Sequence, residues 1–168
     1  IQRDVVTKTR YEYDRVFTPS SVQEEIFKEV QPLCISVLDG YNICIFAYGQ
    51  TGSGKTYTMQ GSDAISMHWG VSPRAVYEIF RLINQMKDKW EYTVQFCMLE
   101  IYNETIRDLL ISSDKMKKCD KPLDVRQTTD GNVVPGLTEE IVNSPDQVYD
   151  LMKKANGNRA VGSHDMNE

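Results

Sequence analysis

Long apolar runs are missing from this chain. The longest, Ile43 to Tyr48, is six residues, whereas a membrane-spanning helix needs about 20, so no insertion into a membrane is expected. The N-terminus, Ile1-Gln2-Arg3-Asp4, has no apolar segment behind it that would read as a secretory signal, and without an initiating methionine the chain is expected to be a piece of a longer protein. Cysteine is sparse and scattered: Cys34, Cys44, Cys97 and Cys119 form no Cys-x-x-Cys pair, which argues against a zinc site and a disulfide framework. Cys44 and Cys97 fall in apolar strand patterns and are expected to be buried, reduced thiols of a cytoplasmic protein. His68 and His164 stand apart, with no metal-ligand spacing. Positive charge is in deficit, 19 Lys and Arg against 24 acids for a net charge of −5, so nothing recommends nucleic acid or an anionic membrane as partner. The one basic cluster, Lys115 to Lys118 with Lys121, lies in a polar stretch and reads as a solvated loop.

What the chain does have is a glycine-rich run, Gly49-Gln50-Thr51-Gly52-Ser53-Gly54-Lys55-Thr56, which fits Gly-x-x-x-x-Gly-Lys-Ser/Thr. Ahead of it, Ile43 to Ala47 supplies the buried strand such a loop needs, and Lys55 to Met59 can continue as helix. Glycines let the backbone fold tightly enough to turn several N–H groups onto phosphate oxygens, and the helix N-terminus adds its dipole. Lys55 would reach the β- and γ-phosphates of a nucleotide, and the Thr56 hydroxyl would ligate magnesium. The competing reading is a helix-capping turn with an incidental lysine, which the strand-loop-helix order disfavours.

Elsewhere, local patterns alternate between strand and helix. Tyr11 to Phe17 has period-two alternation ending at Thr18-Pro19, as in a half-exposed strand. Ser21 to Glu24 has capping-box spacing, and Val22, Ile26, Val30, Leu33 and Val37 share a helical face that Gly40 stops, with Pro32 a candidate kink. Gln60 to Gly70 reads as a surface loop. Ser72-Pro73 predicts a cap and a helix to about Met86. Glu91 to Tyr102 predicts one long central strand, followed after Asn103-Glu104 by a short helical turn ending at Asp108-Leu109-Leu110. Ile111 to Pro122 reads as a charged loop. Leu123 to Arg126 and Val133-Val134 flank an Asp130-Gly131 turn as a hairpin, and Glu139 to Val142 is another strand. Ser144-Pro145 predicts a last helix through Val148, Leu151 and Met152 to at least Ala155. The implied fold class is α/β, a three-layer sandwich with a central mixed sheet flanked by helices, of the P-loop NTPase kind, in a single partial domain over residues 1–168.

The loop as spelled here, preceded by Asn42 to Tyr48 and followed by Tyr57-Thr58-Met59, resembles the motor domain of kinesins. Further segments agree in order: Val16-Phe17 with Gln23 to Phe27, Gly70 to Arg74 with Ile79-Phe80, Glu100 to Glu104 with Arg107 to Leu110, Val134 to Glu139, and Asn158-Arg159 with Met166-Asn167-Glu168. The wording of Asn42 to Phe46, Leu123 to Arg126 and Gly157 to Glu168 is most similar to the C-terminal-motor, minus-end-directed class. The resemblance implies a microtubule-stimulated ATPase of the cytoplasmic microtubule cytoskeleton and possible spindle. It implies ATP or ADP and Mg2+ as cofactors, held by Gly49, Gln50, Thr51, Gly52, Ser53, Gly54, Lys55 and Thr56, with Thr56 on the metal. Tyr57 would lie beside the adenine ring, the alternative being a helix residue packed on the sheet. Tubulin is the implied partner, together with a homodimer formed through a coiled coil outside this chain; the Asp130-Gly131 hairpin corresponds to a microtubule-facing region, with Arg126 as its basic residue.

Such domains are about twice this length. The first switch motif, Asn-x-x-Ser-Ser-Arg-Ser-His, would only begin at the last residues, and the second, Asp-x-x-Gly, is not in the chain. The catalytic residues are therefore expected outside it, the segment alone is not expected to hydrolyse ATP, and apolar faces of the sheet are expected to be left uncovered. A non-catalytic microtubule- or partner-binding module built on the same fold is the alternative function, and an unrelated P-loop ATPase is a third.

Overall fold

A computed structural model describes residues 9–62, 66–112, 122–129 and 131–164, the side chains of 66 and 160–164 excepted. Among the described residues lie four α-helices and six short strands: α1 (Gln23–Leu38), α2 (Lys55–Met59), α3 (Val71–Met86), β1 (Val94–Phe96), β2 (Leu99–Tyr102), β3 (Thr105–Asp108), β4 (Arg126–Thr128), β5 (Gly131–Val133), β6 (Glu140–Val142) and α4 (Pro145–His164). The strands form three antiparallel pairs, β1 with β6, β2 with β3 and β4 with β5.

The first helix starts one residue later than its capping-box spacing predicts. Val22 takes the extended cap position, and the Glu25 carboxylate accepts from the Val22 N–H at 3.4 Å. Valine has no side-chain acceptor, so only this half of a capping box exists; Ser21 instead takes the Thr18 N–H at 3.2 Å. Pro32 is accommodated within α1, and Gly40, at φ 93°, ends it in the left-handed region as expected. The third helix begins at Val71 rather than after Ser72, with Gly70 as its cap. This puts Pro73 third in the helix, where an N–H would have no intrahelical acceptor in any case. The last helix follows its signal closely: Ser144 Oγ accepts from the Gln147 N–H at 3.3 Å, Pro145 opens it, and it continues past Gly157 to His164.

The long strand predicted over Glu91 to Tyr102 is two strands. Val94 pairs with Val142 and Phe96 with Glu140, and the chain then changes partner at Cys97-Met98. Beyond it, Leu99 faces Asp108 and Tyr102 faces Thr105 in a hairpin. Asn103 and Glu104 both have positive φ, 48° and 61°, the backbone of a two-residue hairpin turn with the twist that flanking strands favour. The expected helical turn at this point is therefore strand β3. A hairpin forms at the expected place but with its strands shifted: β4 begins only at Arg126, the last residue of the expected Leu123 to Arg126 strand, and Gly131, expected in the turn, opens β5 facing Thr128, while Asp130 lies outside the described residues. Tyr11 to Phe17 and Ile43 to Ala47 join no ladder among the described residues.

The core lies between α3, the β1-β6 pair and α4. Val142, Val148 and Met152 are buried against Val76, Phe80 and Val94. Leu109, Leu110 and Ala155 form the adjoining cluster, with Phe96 and Leu151 bridging the two. Outside this core, Phe46 is 86% exposed and Tyr48 fully so, on a stretch that joins no ladder among the described residues. Cys44 and Cys97 are exposed rather than buried, because the apolar stretch around Cys44 has no strand beside it and Cys97 falls at the break between β1 and β2. Desolvation still pushes the Cys97 thiol upward. Cys34 is the buried thiol. The expected charged loop, with Lys115 to Lys118, Cys119 and Lys121, lies outside the described residues except at its ends.

Backbone bonds join the two ends of one loop. Gly61 bridges Trp69, the Ser62 N–H donates to the His68 carbonyl at 3.0 Å and the Gly70 N–H to the Gln60 carbonyl at 3.0 Å. Gly61 has φ +79°, and a Cβ there would sit 2.0 Å from the His68 carbonyl oxygen. A side chain thus meets both left-handed strain and backbone that cannot swing aside. Gly61→Ala is expected to cost about 2–4 kcal/mol, read as a lowered urea midpoint; an unchanged midpoint would show that the loop opens freely.

Candidate nucleotide site

The chain enters the glycine-rich loop from the exposed stretch ending at Tyr48. The Ser53 N–H donates to the Gln50 carbonyl at 3.2 Å, folding residues 50–53 into a turn. Gly52 and Gly54 have φ +81° and +95°, with open space where a Cβ would stand. Their glycine requirement is therefore one of backbone conformation and not of room. From Gly54 the chain passes into α2, and the Thr58 N–H closes on the Gly54 carbonyl at 2.8 Å.

Lys55, the first residue of α2, folds over the loop: its Nζ donates to the carbonyls of Gly49 and Gln50, each at 2.8 Å. The ammonium is thus held at the mouth of the cradle by two neutral acceptors, which a charged phosphate oxygen can outcompete. Thr56 is exposed beside it. With five residues, α2 contributes little macrodipole, so the Lys55 ammonium is the main positive charge at the loop. The Tyr57 ring is half exposed and is not packed into a sheet. Its carbonyl accepts from Gln23 Nε2 at 2.6 Å, tying the start of α1 to the helix behind the cradle.

Beyond Gly61 the loop is strapped to two helices. Trp69 stacks at tilted angles on Tyr77 of α3, 4.9 Å between centroids, and on Tyr149 of α4, at 5.3 Å. Lys153 Nζ lies 4.7 Å from the centre of the Tyr149 ring. The Tyr77 hydroxyl donates to Asp146, which, with burial, pushes the phenol up to about 12. Gln60 Nε2 reaches Asn156 Oδ1 at 3.2 Å. A second anchor lies below. Asp108 is buried and accepts two backbone N–H bonds, from Leu110 and Thr138, each at 2.8 Å. Asn158 Nδ2 donates to the Leu109 carbonyl at 2.8 Å, and Arg159 pairs with Glu100 at 3.5 Å.

All the predicted cradle residues, Gly49 to Thr56 with Tyr57, stand together on one loop and helix. Arg126 is exposed on the hairpin, away from any basic companion within β4 or β5. Sequence reasoning assigned no role to Gln23, Trp69 or Asp108. Gln23 opens a segment noted for its resemblance, and only that signal marks it. His68 is exposed, and no metal-binding cluster of His, Cys, Asp and Glu occurs among the described residues.

A glycine-rich loop with left-handed glycines, a lysine folded onto it and a helix behind it define a P-loop NTPase fold. The kinesin motor domain family model matches residues 1–168, and the chain belongs to that family. It is 48% identical over 159 residues to the kinesin-like protein KIN-14M of Oryza sativa subsp. japonica, covering 94% of this chain and 14% of that protein. With KIN-14I of Arabidopsis thaliana it shares 47% over 160 residues, 94% of this chain and 16% of the relative. Among solved structures, a fast kinesin matches with a TM-score of 0.85 and 40% identity, over 94% of this chain and 44% of that one. The chain thus spans a small part of its curated relatives and under half of the solved kinesin.

Proposed function

We propose that this chain is the ATP-binding part of a microtubule-based motor that couples ATP hydrolysis to movement. The reading rests on one observation: Gly52 and Gly54 in the left-handed region, with Lys55 Nζ poised on the Gly49 and Gln50 carbonyls. The loop amides of Gly49 to Gly54 hold the phosphates of ATP or ADP, and Lys55 leaves its two carbonyls to pair with phosphate charge. Thr56 is the magnesium ligand, and the half-exposed Tyr57 ring lies beside the adenine. Bound Mg2+ supplies charge neutralisation to the phosphates. The partner is tubulin, and dimerisation runs through a coiled coil outside this chain. The KIN-14 names of the relatives support the C-terminal-motor class, and cytoplasmic microtubules, the spindle among them, are the place of action.

This chain has no Asp-x-x-Gly, the motif that in such motors completes the magnesium and water side of the site. The expected result for the 168-residue chain is therefore Mg2+-dependent binding of a fluorescent ATP analogue with no microtubule-stimulated phosphate release. Absence of binding at millimolar nucleotide would refute the cradle reading. Robust turnover would refute the division of labour.

A further inference from the structure

A serine or threonine precedes proline three times in the chain, at Thr18-Pro19, Ser72-Pro73 and Ser144-Pro145, and the fold treats the three differently. Ser144 Oγ is occupied, accepting from the Gln147 N–H at the start of α4. Ser72 is the second residue of α3, and Pro73 behind it is buried. Thr18, by contrast, is exposed and outside helix and strand, at the end of a stretch whose residues 11–17 join no ladder among the described residues. The Ser21 N–H donates to the Thr18 carbonyl at 2.9 Å, so residues 18–21 form a turn with Pro19 in its second place, where the fixed φ of proline suits it. The Thr18 hydroxyl lies 2.8 Å from Ser20 Oγ and 3.4 Å from Ser21 Oγ, both exposed contacts.

Thr18 lines a groove of about 420 Å3 together with Arg15, Lys28, Glu25 and Glu29. Arg15 Nε is 3.5 Å from Glu29 and Lys28 Nζ is 3.5 Å from Glu24, and all four of these side chains are more than half exposed. Pairs this exposed contribute little to stability, so a stronger anion takes either cation at small cost. A phosphate on Thr18 would carry about two negative charges and three acceptor oxygens. That group suits the planar guanidinium fork better than the single contact of Glu29 does. Glu25 and Glu29 oppose it by repulsion, and the first-turn amides of α1, which have no intrahelical acceptor, favour it. At an exposed site, direct charge-assisted contact outweighs repulsion across screened solvent.

We propose that Thr18 is a phosphorylation site for a proline-directed protein kinase, with the phosphate held by Arg15. In the transfer, Thr18 Oγ1 bonds to the γ-phosphorus of the kinase's ATP, the bond from that phosphorus to the β–γ bridging oxygen breaks, the hydroxyl proton passes to solvent and ADP leaves. A kinase of this kind lays the acceptor and its proline across its own cleft in extended or turn backbone, the conformation that a residue before proline favours. Of the three pairs, Thr18-Pro19 is the one presented in that way with its hydroxyl exposed. The proposal stands independently of the nucleotide reading, since no cradle residue takes part.

The 168-residue chain, incubated with excess MgATP and a cyclin-dependent protein kinase, is mapped by mass spectrometry. Phosphate is expected at Thr18, at least about tenfold above Ser72 or Ser144, which a kinase reaches only when a helix end opens, and none is expected without the kinase. Thr18→Val, at an exposed position, is expected to remove this incorporation and leave the thermal melt unchanged. Phosphorus NMR of the phosphorylated chain then follows the second ionisation of the phosphate. Arg15→Ala is expected to raise its midpoint by about 0.5 pH, because the charged form loses its cation, and Arg15→Lys to recover most of that difference. Absence of phosphate from Thr18 in the folded chain, or equal labelling of the three pairs, would overturn the proposal. So would a phosphate that titrates alike with and without Arg15.

Discussion

Lys55→Ala is expected to weaken MgATP binding by about 100-fold or more and to leave the fold almost untouched. The two effects separate because the lysine's bonds to the loop are to neutral carbonyls that water can also satisfy. Among the described residues its Nζ bonds to the Gly49 and Gln50 carbonyls, on a loop whose Thr51 to Ser53 and Thr56 are exposed so that water can replace it, and the cost to stability is expected to be below about 1 kcal/mol. The loop itself is shaped by the Gly52 and Gly54 dihedrals and the Ser53 to Gln50 turn, which the substitution does not touch. Against a triphosphate the ammonium makes charge-assisted bonds of about 1.5–3 kcal/mol each, and two of them lost amount to the stated factor. Binding of a fluorescent nucleotide, read beside a thermal melt, checks both halves. In a motor domain containing this chain, the same change is expected to stop microtubule gliding. Retained affinity or unchanged gliding would remove Lys55 from the site.

The features legible in the sequence were those fixed by one residue or its near neighbours. Lys55 to Met59 is helical as read, Gly40 ends α1, the Gly131 hairpin closes, and Ser144-Pro145 caps α4, because φ preference and capping chemistry act over a turn or two. Partner changes were not legible. Glu91 to Tyr102 has strand composition throughout, yet residues 94–96 choose β6 while residues 99–102 choose β3, and nothing in a period-two pattern names a partner. Asn103-Glu104 carries no glycine to announce a left-handed pair, so hydrophobic neighbours at Ile106, Leu109 and Leu110 read as a helical turn. The exposed Cys44 follows from the same blindness: an apolar stretch predicts burial, but burial needs a neighbouring strand. Around the candidate site, the motif marks the glycine-rich loop, whereas the contacts that hold its surroundings come from residues far apart in sequence. Gln23 meets Tyr57 across 34 positions, Asp108 meets Thr138 across 30 and Asn158 meets Leu109 across 49. Side-chain to backbone bonds of that reach leave no periodic trace.

Asp108 is the support whose loss is expected to cost most. It is 1% exposed and has both oxygens occupied, Oδ1 by the Leu110 N–H and Oδ2 by the Thr138 N–H, each at 2.8 Å. The first bond fixes the turn that sends Leu109 and Leu110 into the core beside Ala155. The second joins the end of β3 to the chain just before β6, across residues that share no ladder. Asp108→Ala deletes both acceptors and strands the buried Leu110 amide and the part-buried Thr138 amide, so a loss of about 3–5 kcal/mol in unfolding free energy is expected. Asp108→Asn is the sharper test, since it keeps size and one carbonyl oxygen while placing an NH2 group against an N–H. It is expected to cost about half to two-thirds as much, because one bond survives and one becomes a donor facing a donor. Urea denaturation of the two variants measures both values. If alanine and asparagine proved equally mild, below about 1 kcal/mol, the two amides would have other partners and Asp108 would not be the pin between the hairpin and the β1-β6 pair.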